Sequence, residues 1–245
     1  MLARMLRQVI ATFREQGWWL LIVALVIAGG FWGFAELADE IEDGETHEFD
    51  RAVMLALREP HDLDDPLGPA WLELAARDVT SLGGTTVLVL LTLAAVGFML
   101  LIRKWGAAIF VVVSIAGGTL LSSFLKSWFD RPRPDLVPHA VEVTSASFPS
   151  GHAMLAMTTY LTLGAVLAEV EEKRRIKVYI LTWAVLLALL VGSSRVYLGV
   201  HWPTDVLAGW CIGSAWALLC GCVALWLARR GVIESAEGPR HGPVT

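Results

Sequence analysis

Six long apolar runs, bounded by charge, proline or glycine, set the organisation of this chain. They extend over about Gly17–Ala35, Leu82–Ile102, Trp105–Leu125, Gly151–Ala168, Val178–Ser193 and Thr204–Ala228. Each approaches the ~20 residues that a helix needs to cross the hydrocarbon core of a bilayer. The pattern predicts an all-α, polytopic membrane protein with six transmembrane helices, packed helix against helix in lipid. Composition agrees: 56% of the residues are hydrophobic and the mean hydropathy is +0.59. Soluble domains average roughly 45–50% by a more generous count that includes glycine. At 245 residues the chain suits one domain, residues 1–232, with a polar, Gly- and Pro-containing tail at 233–245 expected to be disordered.

Lysine and arginine placement predicts the orientation. Arg4, Arg7 and Arg14 precede the first run, and Arg103 and Lys104 join the second to the third. Lys173, Arg174, Arg175 and Lys177 join the fourth to the fifth, and Arg229 and Arg230 follow the sixth. With six crossings these clusters fall on one side, which makes both termini cytoplasmic and reads the clusters as topology determinants. The first run is too long for a signal-peptide core and lacks a small-residue cleavage site, so it is expected to be an uncleaved signal anchor. The expected location is a bacterial inner membrane.

The interval 36–81 then becomes extracytoplasmic. Fourteen of the 24 acidic residues lie between Glu36 and Asp78. Phe49, Val53, Met54 and Leu57 have helical spacing, which predicts a short amphipathic helix lying at the interface. Pro60, Pro66, Gly68 and Pro69 break it, and Trp71, Leu72, Leu74 and Ala75 lead towards the second run. Arg77 and Asp78 are read as a surface ion pair or as support for a site nearby.

The net charge of −5 and the absence of any basic patch beyond the topological clusters exclude a nucleic-acid partner. Cys211, Cys220 and Cys222 share one apolar run, with no CxxC pair and no histidine at metal-binding spacing. They are read as inert thiols. His47 and His61 lie in the acidic interval, His139 is expected to be solvent-exposed, and His241 lies in the tail.

The chemistry is concentrated in three blocks at the ends of apolar runs: Lys126–Pro134 (KSWFDRPRP), Pro149–His152 (PSGH) and Ser194–Asp205 (SRVYLGVHWPTD). Lys126, Arg133 and Arg195 come from three segments that end on one face. Three cations so placed suit the oxygens of a phosphoryl group in transfer. Arg131 is two residues from Arg133, and either can face the site. Ser150 or Gly151 caps the fourth helix, whose free N–H groups suit an anion, and Gly151 lets the backbone come close to it. His152 falls in the first turn. His201 and Asp205 are four apart, with Pro203 suited to the first turn of the last helix. Asp205 can orient the imidazole of His201, leaving its other nitrogen as a nucleophile, or cap its helix, or do both.

The spacings K-x6-R-P, P-S-G-H and S-R-x5-H-x3-D resemble the signature of the type 2 phosphatidic acid phosphatase (PAP2) superfamily. Lys126, Arg133 and Pro134 match the first element, Pro149–His152 the second, and Ser194, Arg195, His201 and Asp205 the third. The blocks and their linkers span about 104–228. The resemblance implies a PAP2/haloperoxidase-like helical core and a metal-independent phosphatase without cofactor. It implies that His201 attacks phosphorus, oriented by Asp205. His152 then protonates the leaving group and activates water, while Lys126, Arg133, Arg195, Ser150 and the Gly151 amide hold the oxygens. The implied partners are the bilayer and a phospholipid or isoprenyl-phosphate substrate, such as undecaprenyl diphosphate, phosphatidylglycerophosphate, phosphatidic acid or lipid A phosphate. Alternatives within the resemblance are a lipid-to-lipid phosphotransferase and a vanadium haloperoxidase. Outside it stands a non-catalytic anion-binding protein. No motif addresses the oligomeric state.

Overall fold

In hydrocarbon a backbone can satisfy its N–H and C=O groups only through its own hydrogen bonds, so the apolar runs are constrained to be helices. A computed structural model of the chain describes residues 2–136 and 146–230. In chain order it contains α1 (Leu2–Glu42), α2 (His47–Ala56), β1 (Arg58–Glu59), β2 (Asp62–Pro66), α3 (Ala70–Ser81), α4 (Thr85–Leu101), α5 (Trp105–Phe129), α6 (Gly151–Val170), α7 (Arg174–Tyr197) and α8 (Pro203–Arg229). Among the described residues five helices are long and apolar enough to cross a membrane. Taken together as one span bent by 48°, the pair α3–α4 meets the same test and brings the count to six.

α6 is central and packs against α5, α7 and α8, while α1 runs antiparallel along α8 and α3 lies against α7. The outward faces carry large apolar side chains such as Leu101, Leu120 and Trp128. Between helices the contacts depend on small residues, because lipid supplies no hydrophobic force that favours one helix over another. A Cβ on Gly213 would lie 2.6 Å from the carbonyl oxygen of Met154, and one on Gly209 would lie 2.9 Å from that of Ser150. These two glycines let α8 press backbone against backbone on the first turns of α6.

Local sequence explains the ends that matter. Asp130 takes a left-handed conformation (φ 39°), tolerable for a short polar side chain, and stops α5. Ser150 caps α6 by accepting the Ala153 N–H at 3.5 Å. Pro203 opens α8 where its missing N–H has no partner to lose. By connectivity, the C-terminal ends of α5 and α7 and the N-terminal ends of α6 and α8 gather at one end of the bundle. Arg103, Lys104 and the 173–177 cluster lie at the other.

Several expectations change. α1 is a single helix of 41 residues, extending well past both predicted bounds. α5 and α7 continue about a turn beyond Leu125 and Ser193, so Lys126, Ser194 and Arg195 belong to last helical turns. The second apolar run becomes α4, which begins at Thr85 rather than Leu82, because Leu82–Gly84 separates it from α3. The short helix predicted around Phe49–Leu57 is present as α2. It is docked on the protein, however, with Asp50 and Met54 buried, while Phe49 stays exposed. The hairpin β1–β2, with Arg58 opposite Pro66 and Glu59 opposite Asp62, was not expected. Arg77 pairs with Glu73 at 2.7 Å, one helical turn back. His139, most of the 135–148 loop and the 233–245 tail lie outside the described residues.

The close approach of α6 and α8 predicts a contrast between two alanine substitutions. Gly213→Ala places a methyl group against immobile backbone and should destabilise by about 1–3 kcal/mol, the usual cost of overpacking. Gly97→Ala meets nothing within 4 Å and should be neutral or stabilising by up to about 1 kcal/mol, since alanine favours helix. Thermal unfolding of both variants in detergent checks this; equal behaviour would contradict the packing assignment.

Candidate active site at the gathered helix ends

The segments that bring the candidate residues together are fastened mainly through backbone groups. Lys126 Nζ donates to the Ala146 carbonyl at 2.6 Å, and Ser147 N donates to the Arg131 carbonyl at 2.8 Å. Ser150 N donates to the Asp205 carbonyl at 2.9 Å, which joins the start of α6 to the start of α8. Arg133 Nη1 donates to the Val200 carbonyl at 2.6 Å, and Trp202 Nε1 to that of Pro132 at 3.1 Å. Phe148, fully buried, stacks on Phe34 of α1 and meets Phe129 edge-on, which anchors the approach to α6.

His201 and Asp205 form the centre. His201 Nδ1 lies 3.3 Å from Asp205 Oδ2, and Arg133 Nη1 lies 3.1 Å from His201 Nε2. A guanidinium can only donate, so Nε2 is the acceptor and the ring proton belongs on Nδ1, given to Asp205. Both groups are buried. Burial lowers the His201 imidazole to about 4, outweighing Asp205, which raises it. Burial also lowers Arg133 while Asp205 opposes that, and an arginine so shifted stays charged. Asp205 also caps its helix, because Oδ2 accepts the Trp202 N–H at 2.9 Å; the carboxylate serves the ring and the helix together.

Arg131 and Arg133 divide their tasks. Arg133 reaches His201, whereas Arg131 is buried behind Asp205. Arg131 Nη1 donates to Asp205 Oδ1 at 2.7 Å and Nη2 to Asp50 Oδ2 at 2.8 Å. Its guanidinium also donates to the hydroxyls of Thr204 and Thr46, at 2.9 and 3.3 Å. Ser147 Oγ donates to Asp205 Oδ2. Residues that sequence reasoning did not single out therefore surround Asp205: Ser147, Thr204, and Asp50 and Thr46 from the α1–α2 region. Their only signal was polar character close to the motifs, or, for Asp50, within a long acidic run.

The remaining candidates lie around this pair. His152 interacts electrostatically with Arg195, His201, Lys126 and Arg133. A Cβ on Gly151 would lie 3.3 Å from Lys126 Cε, so glycine is what allows the lysine to cross the helix start. Ala153 N and Met154 N bond to Ser150, which leaves the Gly151 and His152 N–H groups as those the helix does not use itself. Arg195 is buried and donates from Nη1 to Thr80 Oγ1 at 3.0 Å, while its Nε has no partner among the described residues. Gly83, at the α3–α4 break, packs beside His152. Ser194, by contrast, turns its hydroxyl back to the Val191 carbonyl of its own helix. Among the described residues no three His, Cys, Asp or Glu side chains are grouped to hold a metal ion. Two apolar cavities of about 250 and 220 Å³ lie at the other end of the bundle, and no motif residue borders them.

Comparison with known proteins identifies the family. Residues 107–229 match the family model of the PAP2 superfamily. The chain is 34% identical to phosphatidylglycerophosphatase B of Bacillus subtilis (strain 168), over 74% of this chain and 85% of that one. It is 31% identical to a lipid A 1-phosphatase of Rhizobium etli, over 52% and 53% of the two chains. The crystal structure of a transmembrane PAP2 type phosphatidylglycerolphosphate phosphatase from Bacillus subtilis superimposes with a TM-score of 0.74 at 30% identity. It covers 84% of this chain and 98% of its own. An α-helical bundle with membrane-spanning helices, the ordered motif blocks at one end of it, and a match over most of a solved relative lead to one conclusion: the chain belongs to the PAP2 superfamily and is a PAP2-type membrane phosphatase.

Proposed function

We propose that the protein hydrolyses a lipid phosphate, with phosphatidylglycerophosphate the first candidate, through a phosphohistidine on His201. The observation that carries the reading is the ring orientation of His201, with Nδ1 on Asp205 and Nε2 on Arg133. A phosphate bound at this end recruits the N–H groups of Arg133 and leaves the Nε2 lone pair directed at phosphorus. The P–O bond to the lipid then breaks as the N–P bond forms, and His152 gives its proton to the leaving oxygen. In the second half His152 takes a proton from water, the water oxygen bonds to phosphorus, and the N–P bond breaks to release inorganic phosphate. The Nδ1 proton stays on the His201–Asp205 bond throughout. Lys126, Arg133, Arg195, the Ser150 hydroxyl and the Gly151 N–H face the equatorial oxygens. The Nε of Arg195, without a partner among the described residues, supports this, since a buried donor is costly unless an anion uses it.

A phosphate site at one end of membrane-spanning helices suits a substrate whose tail stays in the bilayer. The basic residues at the other end support a cytoplasmic placement for that end and an extracytoplasmic one for the site. The choice of substrate rests on similarity to Bacillus subtilis phosphatidylglycerophosphatase, over 74% of this chain in sequence and 84% in structure. The chemistry assigned to the two histidines needs no metal.

Three outcomes are expected. Purified protein in detergent should release phosphate from phosphatidylglycerophosphate in the presence of EDTA. Loss of that activity with restoration by a divalent cation would contradict the metal-free chemistry. His201→Ala should lower turnover by at least about 10⁴-fold while retaining the wild-type thermal transition, and substantial residual turnover would remove His201 as nucleophile. In histidine NMR of the protein in micelles, the resonance missing from His201→Ala should titrate near pH 4, as burial dictates. The unfolded chain then binds the extra proton first as pH falls below 6.5, so His201 should reduce stability progressively between pH 6.5 and about 4. A midpoint at or above 6.5 would contradict its buried, neutral state.

A further inference from the structure

Asp205 needs an orientation that its own helix does not supply. Its Oδ2 must meet the His201 N–H while the carboxylate is wholly buried at the first turn of α8. The other oxygen, Oδ1, is held at 2.7 Å by Arg131 Nη1. The same guanidinium is held from behind by Asp50 Oδ2 at 2.8 Å. Asp50 in turn accepts the Thr204 N–H at 3.0 Å through Oδ1 and the Thr204 hydroxyl at 2.7 Å through Oδ2. It thus grips both the cation on Asp205 and the peptide that leads into Asp205. The indole of Trp202 lies 5.5 Å from the guanidinium carbon and is itself tied to the Pro132 carbonyl.

From this geometry we infer that Arg131 and Asp50 are positioning residues for the Asp205–His201 pair. Neither reaches the phosphate. The guanidinium bridges the two carboxylates and fixes the plane of Asp205. It also keeps Asp205 an anion, which can only accept at His201 Nδ1 and so leaves Nε2 as the free base. A purely structural role for the network is the weaker account. Buried ion triads contribute little net stability beside well-packed apolar groups. α2 already docks through Met54, Val53 and Leu57 against Trp202 and Val206. What the ions supply and apolar packing does not is direction.

The inference rests on His201 being the nucleophile, and the test separates the two claims. Steady-state phosphate release from phosphatidylglycerophosphate in mixed micelles is measured for the wild type, His201→Ala, Arg131→Gln, Asp205→Asn and the Arg131→Gln/Asp205→Asn double variant. Arg131→Gln should lower kcat by about 10²-fold, the order expected when a reacting group is misplaced by about 1 Å, with KM changed by less than about 3-fold. In the Asp205→Asn background the same change should cost less than about 3-fold, because residues that act as one unit are not additive. Equal losses in both backgrounds would overturn the inference, as would a raised KM at unchanged kcat, which would make Arg131 a phosphate ligand. If Arg131→Gln shows no thermal transition, Asp50→Asn takes its place under the same criterion. Absence of His201-dependent release from the wild type would overturn both claims, whereas His201-dependent release with an additive cycle overturns only the positioning role.

Discussion

Helix N-termini carry partial positive charge, and bringing two of them side by side among cations is unfavourable unless negative charge lies between them. That is the constraint at the working end of this molecule. α6 and α8 begin together, joined by the bond from Ser150 N to the Asp205 carbonyl. Lys126, Arg131, Arg133 and Arg195 converge on the same place. Among the described residues two buried carboxylates, Asp50 and Asp205, lie among these four cations. A phosphate monoester carries about −1.5 to −2 at neutral pH. In the proposed reaction the substrate headgroup brings counter-charge to these cations.

The distribution of the carboxylates matters as much as their number. Asp205 meets His201 at the ring nitrogen opposite Arg133, and both carboxylates are committed to Arg131 and the start of α8. Charge is thus neutralised where it would otherwise disrupt helix docking. The close seam at Gly209 and Gly213 holds this separation, since any widening between α6 and α8 would draw Ser150 away from Asp205.

Much of this was legible in the sequence, and the limits have physical causes. Long apolar runs mark helices strongly, so each predicted run is helical, five of them long and apolar enough to cross a membrane alone and the second only when joined to α3. Their ends were misjudged where polar residues continue a helix beyond its apolar stretch, as at Lys126 and Arg195 in the last turns of α5 and α7. The hairpin is short and polar and carries no alternation to find. The motif residues converge because each block ends a helix at the same end of the bundle, an inference available from connectivity alone. Spacing could not decide between Arg131 and Arg133, because both lie in one stiff run and only the partners across the chain distinguish them. Asp50 was hidden for a related reason: one acid among fourteen looks like the rest until α2 docks and buries it beside a residue 154 positions away.

The run Arg131-Pro132-Arg133-Pro134 has a dimensional consequence. Proline holds its φ near −65° and favours an extended residue before it, so alternate residues in such a run are spaced by about 6–7 Å. That is the scale of a carboxylate and an imidazole laid end to end, and the two arginines meet the far oxygen of the one and the far nitrogen of the other. The run therefore works as a gauge, with its two prongs set by covalent geometry rather than by the surrounding fold. Its length is then more constrained than the identity of the residues around it. A side chain nearby can be exchanged and the prongs still fit, whereas a single inserted or deleted residue between them would miss both ends of the pair at once.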